Sequence, residues 1–233
     1  MNARIVPART SALVAMLLAS VALSGCISLL PKPPPPAMIY TLRAGEVERV
    51  TAEVKPIVLS VSEPSAPRSV AGADIVWRTG ASIAFMDKGA WDGTAPDLLQ
   101  DMLIDVIDRR GAVRAVVRTG GGVRADADVR WDVQTFEIVE DGSKLDAEIV
   151  VAAKLVDLRT RTLMADERFE AHAPISSRSG RAAAAAMERA ARDVSLQIAN
   201  WAAEKAPVPA PPPVVMSPAG PGPDQPSAAS TRR

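Results

Sequence analysis

Cysteine and histidine each occur once in this chain, at Cys26 and His172. A single cysteine excludes an internal disulfide, and so few soft donors leave little from which to build a metal site. Net charge is missing too. The 27 basic and 27 acidic residues cancel, so no positive excess is available to neutralise phosphates and no nucleic-acid partner is expected. Aromatic residues make up only 3% although hydrophobic residues reach 48%, much of it alanine and valine. The core is therefore expected to be modest and built from small side chains. No apolar run approaches the ~20 residues that a membrane-spanning helix needs.

These absences bear on catalysis. A Ser-His-Asp or Cys-His site would require His172, which falls in Phe169-Glu170-Ala171-His172. Strand alternation there puts it on the face opposite Phe169 and Ala171, as a solvated residue. Neither Gly-x-Ser-x-Gly nor His-Glu-x-x-His occurs, and Gly120-Gly121-Gly122 is not followed by Gly-Lys-Ser/Thr, so it reads as a turn. No enzyme activity and no cofactor are expected.

What is present begins at the N-terminus. Arg4 and Arg9 precede an apolar run from Ala12 to Leu23 that ends in Leu23-Ser24-Gly25-Cys26. The run is the right length for the core of a secretory signal and too short to span a bilayer. Small residues before a cysteine match the bacterial lipobox, in which the thiol is alkylated by a diacylglyceryl group and the chain is cleaved at that cysteine. The competing reading is a plain signal peptide with a coincidental cysteine. Two or three acyl chains would hold the mature protein stably at a membrane. Ile27 rather than aspartate after the cysteine favours the outer membrane over the inner. We therefore expect a signal peptide over 1–25 and a lipidated Cys26 with a stiff polyproline spacer over 26–37, where Pro31–Pro36 would lift the fold off the lipid. A disordered Pro-rich tail is expected over 206–233.

Residues 38–205 carry the periodic signal. Strands are expected at 38–42, 57–61, 75–78 and 82–86, the last two as a hairpin about Gly80. Thr94 and Asp97 form a capping box, Pro96 sits in the first turn, and Gly111 stops the helix after Arg109 and Arg110. Strands follow at 112–117, 129–139, 145–158 and 163–171. The alternation Val129, Trp131, Val133 changes phase to Phe136, Ile138, which predicts a bulge. A closing helix spans 180–205. The expected fold is α+β: a single two-layer domain, a mostly antiparallel sheet with two helices packed on one face.

On the first helix, Asp97, Asp101, Asp105 and Asp108 fall within one solvent-facing arc. Like charges at i, i+4 repel, and no lysine interrupts them. A solvated face is the plainer reading; a docking surface for a basic partner is the alternative, with Ile104 beside the stripe as its apolar anchor. Trp77 and Trp91 read equally as core residues or as contact points, whereas Trp131 and Trp201 read as core.

In order, the lipobox, the proline spacer, Tyr40-Thr41-Leu42, Ile75-Val76-Trp77-Arg78, Trp91 and the helix after it, Trp131-Asp132-Val133-Gln134-Thr135-Phe136, Ala152-Ala153-Lys154-Leu155-Val156-Asp157 and Ile198-Ala199-Asn200-Trp201 resemble the ABC-type transport auxiliary lipoprotein family. The resemblance covers roughly residues 26–205. It implies a non-enzymatic accessory of a lipid transporter, docked on its MCE-domain periplasmic protein, with a phospholipid as cargo. A homo-oligomer stays open. The alternative is a structural or assembly lipoprotein of the outer membrane or cell wall.

Overall fold

The computed structural model describes residues 38–206. The expected signal segment, Cys26, the spacer and the tail from 207 onward lie outside the described residues. Within them, β1 (Met38–Tyr40), β2 (Lys55–Val61), β3 (Asp74–Thr79), β4 (Ser82–Trp91), β5 (Val113–Arg118), β6 (Ala127–Asp141), β7 (Lys144–Asp157) and β8 (Thr162–Pro174) form one sheet. Two helices, α1 (Ala95–Arg110) and α2 (Gly180–Lys205), lie side by side against it. The domain is α+β, with a single hydrophobic core.

The sheet is mixed rather than mostly antiparallel, which corrects the expectation. β3–β4, β6–β7 and β7–β8 are antiparallel. The pairings β1–β4, β2–β5, β2–β6 and β3–β6 are parallel. Parallel neighbours require crossover connections, and α1 supplies one by returning the chain from β4 to β5 beside β2. Periodicity identifies strands but not their partners, and so it missed these pairings.

β6 is the spine. One edge pairs with β7 from Ala127↔Asp157 to Asp141↔Lys144. The other edge is shared in turn by β2 at Ala127–Val129, by the Ser62–Ser65 segment, and by β3 at Ile138–Glu140. The register shifts between Val133 and Thr135, where the bulge was expected. That extra residue returns Phe136 and Ile138 to the buried face after Val129, Trp131 and Val133.

Helix boundaries follow the capping chemistry. Thr94 caps α1 by accepting a hydrogen bond from the Asp97 amide, and Gly111 ends it with φ 65°, in the left-handed region that favours glycine. Leu99, Leu103 and Val106 are wholly buried beneath it. On α2 the buried residues are mostly alanines, with Met187, Val194, Ile198 and Trp201 supplying the bulk. Small side chains let the 26-residue helix sit close to the sheet. Gly180 marks the tightest approach, since a Cβ there would stand 2.7 Å from the Tyr40 hydroxyl.

On the sheet's other face a buried carboxylate ties three strands together. Asp128 of β6 accepts hydrogen bonds from Ser60 Oγ (2.6 Å), Thr119 Oγ1 (2.6 Å), Ser62 Oγ (2.9 Å) and Arg130 Nε (3.1 Å). Burial pushes its pKa up, but these four donors outweigh burial and hold the carboxyl below the usual carboxylate range. A depressed folded-state pKa gives stability that is present above the unfolded value near ~3.9 and lost as pH falls through the folded value. Asp128→Asn is therefore expected to lower stability at pH 7 by about 1–3 kcal/mol in urea unfolding. Its deficit should shrink progressively below about pH 4, where the unfolded chain takes up the proton first, and vanish only below the folded-state value.

Candidate functional site

The four aspartates of α1 sit where helical spacing placed them, on the helix's outward side. Two have cations from within the chain. Asp101 pairs with Arg118 of β5, whose guanidinium also reaches Gln100, and Asp105 accepts from Arg109 Nε at 2.6 Å. The Asp105 hydrogen bond and charge push the Arg109 pKa up. Asp97 is held by Thr94, whose hydroxyl donates to its carboxylate at 2.7 Å. Neither Asp97 nor Asp108 has a salt-bridge partner among the described residues.

Ile104 is half-buried against the core beside the stripe. Trp91 is elsewhere. Only 3% exposed, it packs on Phe136 with ring centroids 5.6 Å apart, so its indole is covered by this chain's own residues. Asp101, Met102, Asp105 and Arg109 line a cleft of about 310 Å³ with Leu42–Gly45. That last segment belongs to a strap over residues 41–54. Arg192, Arg109 and Arg110 fasten it by donating to the carbonyls of Arg43, Gly45 and Glu48. The α1 surface thus offers two exposed carboxylates, two ion pairs and an apolar seam.

A second surface escaped the sequence reading. β4 pairs with β3 along Ser82–Phe85 and with β1 only at Gly89–Trp91, so the rest of its outer edge has no strand beside it among the described residues. Ile83 (48% exposed) and Phe85 (55%) stand on this hairpin, and Met38 and Ile39 are exposed on the adjoining β1. β4 kinks between these two halves. One residue of β3 faces four of β4 there, and Lys88 takes φ 60°. Beside the kink lies a cleft of about 340 Å³ lined by Tyr40, Trp77, Met86, Lys88 and Arg178. Glu140 holds two of the lining side chains, accepting from Arg178 and, at 2.9 Å, from Trp77 Nε1. Arg178 and then Trp77 hold its carboxyl below the ordinary range. Alternation predicts a hairpin here but not which half of an edge strand lacks a neighbour, so no signal in one sequence would have exposed this surface.

His172 is exposed, 2.6 Å from Glu170, on the side away from the buried Phe169 and Ala171. The described residues contain no group of three side chains arranged to hold a metal ion. None of the described helices is long and apolar enough to cross a membrane.

Two helices on a mixed sheet define an α+β domain with an acidic helix face and, among the described residues, a sheet edge without a neighbour. The chain belongs to the ABC-type transport auxiliary lipoprotein component family, whose profile matches residues 40–199. It is similar to the crystal structure of protein XCC0632 from Xanthomonas campestris, at 29% identity and a TM-score of 0.66, covering 72% of this chain and 96% of that one. An uncharacterized protein of known structure shares the fold at 15% identity and a TM-score of 0.57, over 72% of this chain and 99% of its own. No curated protein matches.

Because the Asp101 and Asp105 ion pairs are solvent-exposed, each contributes little to folding. Replacing both residues with asparagine is expected to leave the urea unfolding midpoint essentially unchanged. The pair is then usable in binding assays without loss of fold.

Proposed function

We propose that this chain is the membrane-anchored auxiliary lipoprotein of an ABC/MCE-type intermembrane phospholipid transport system, held by acylated Cys26 and docked on the MCE periplasmic protein. The observation that carries the reading is family membership across residues 40–199, joined to a lipobox that ends at Cys26. The role is non-enzymatic: binding and scaffolding, on the periplasmic side of the outer membrane. The acidic α1 face, with Asp97, Asp101, Asp105, Asp108 and Ile104, is the docking surface, and a basic patch on the partner completes it. Charge supplies approach rate and orientation there, while Ile104 supplies the apolar anchor.

Affinity purification of the acylated protein from gently solubilised membranes tests this reading. An MCE-domain protein is expected in the eluate, and its recovery should fall several-fold when the four aspartates are changed to asparagine. An eluate containing only cell-wall or outer-membrane assembly proteins would instead support a structural lipoprotein. The anchor has its own check: Cys26→Ser should move the protein from the detergent phase to the aqueous phase on Triton X-114 partition, and unchanged partition would refute acylation at this residue.

A further inference from the structure

Seven large apolar side chains are conspicuously exposed among the described residues, and four of them, Met38, Ile39, Ile83 and Phe85, lie on the neighbouring strands β1 and β4. Single exposed apolar residues are ordinary, but a cluster at one pole marks a contact surface. This pole is also where the chain enters the fold. β1 runs parallel to β4 and meets it only at Gly89–Trp91, so Met38, the first described residue, is the end of β1 that lies toward Lys88 and Met86. Eleven residues separate Met38 from Cys26, a link of at most about 40 Å at ~3.6 Å per residue. That bound leaves the pole within reach of the bilayer that would hold the anchor.

Two properties of the pole suit a bilayer surface. On the opposite face of the same hairpin, Tyr40 and Trp77 line the cleft, and such amphipathic rings favour the headgroup level. Lys88 and Arg178 stand there beside Asp87 and Glu140, so both signs of charge face a headgroup that itself carries phosphate and ammonium. Among the described residues the outer edge of Ser82–Met86 has no strand beside it, which limits the depth. Unpaired N–H and C=O groups are tolerated in the hydrated headgroup layer but not in the hydrocarbon core.

We propose that the β1–β4 pole is a membrane-contact surface, with Ile83 and Phe85 seated at the headgroup–acyl boundary of the bilayer that carries the anchor. The inference rests on acylation of Cys26, which intact-mass measurement of the mature chain establishes first. A chain without the lipid adduct refutes the anchoring reading before the contact is tested. The acylated full chain is then reconstituted in phosphatidylethanolamine–phosphatidylglycerol vesicles with a nitroxide on Ile83→Cys or Phe85→Cys. Leu163→Cys serves as reference. That residue is 57% exposed, at the end of the β7–β8 pair opposite the one nearest β3. The Cys26 sulfur is alkylated in the mature chain, so only the introduced thiol takes the label.

At Ile83 and Phe85 the ratio of collisions with oxygen to collisions with a water-soluble nickel chelate is expected to exceed that at Leu163 several-fold. An equal ratio at all three positions overturns the proposal. Dipolar broadening between labels without the oxygen gain also overturns it, and assigns the pole to a second copy of the chain.

Discussion

The structure depends on one long strand being hydrogen-bonded along both edges. β6 spans 15 residues, nearly three times the usual strand, and no single partner follows it on the side away from β7. β2 takes its beginning, Ser62–Ser65 its middle, and β3 its end. The sheet therefore divides into two wings on that side, β2–β5 and β3–β4–β1. Each wing needs a fastening of its own. In the first, Asp128 draws β2, β5 and β6 together through hydroxyl donors. In the second, Glu137 and Glu140 of β6 take Arg78 and Trp77 of β3, one on each face. The bulge after Val133 belongs to the same constraint, since a strand this long cannot twist and keep its apolar face inward without an inserted residue.

Local chemistry made much of this legible. The capping box at Thr94 and Asp97, the stop at Gly111 and the closing helix from Gly180 all rest on interactions within a few residues of chain, and all stand where capping and spacing put them. The phase change between Val133 and Phe136 was readable because only a bulge reconciles it with one buried face. Pairing across the sheet was not readable. Ala127–Val129 lies about 68 residues from its β2 neighbours, and alternation is the same whether a neighbour runs parallel or antiparallel.

The candidate surfaces show the same limit. The aspartate stripe was visible as a helical arc, but the cation on Asp101 comes from Arg118, across a turn and into another element. Helical spacing counts charges on one helix and misses those contributed by the sheet beside it. Trp91 was open to two readings because its position after a hairpin strand fits either. The bend at Lys88 and the aromatic contact with Phe136 turn it inward. Phe85 differs: among the described residues no strand lies beside its half of β4 on the outer side, and it is exposed.

These surfaces are related by the geometry of β4. Its exposed half ends at Met86, its covered half ends at Trp91, and α1 starts four residues later with its aspartates running onward to Asp108. Because of the kink, Phe85 and Ala90 face Val76 and Asp74, two residues apart on β3, an advance of only about 7 Å. The helix adds about 24 Å over its 16 residues. A pole resting on lipid therefore leaves the acidic face away from the bilayer. That separation matters electrostatically: four carboxylates set against anionic headgroups would be repelled, whereas beyond a Debye length of about 8 Å the repulsion is screened. The same separation leaves the stripe facing the aqueous space through which a soluble partner domain would approach. Pole and stripe are then successive points along one path of the chain, from β4 into α1.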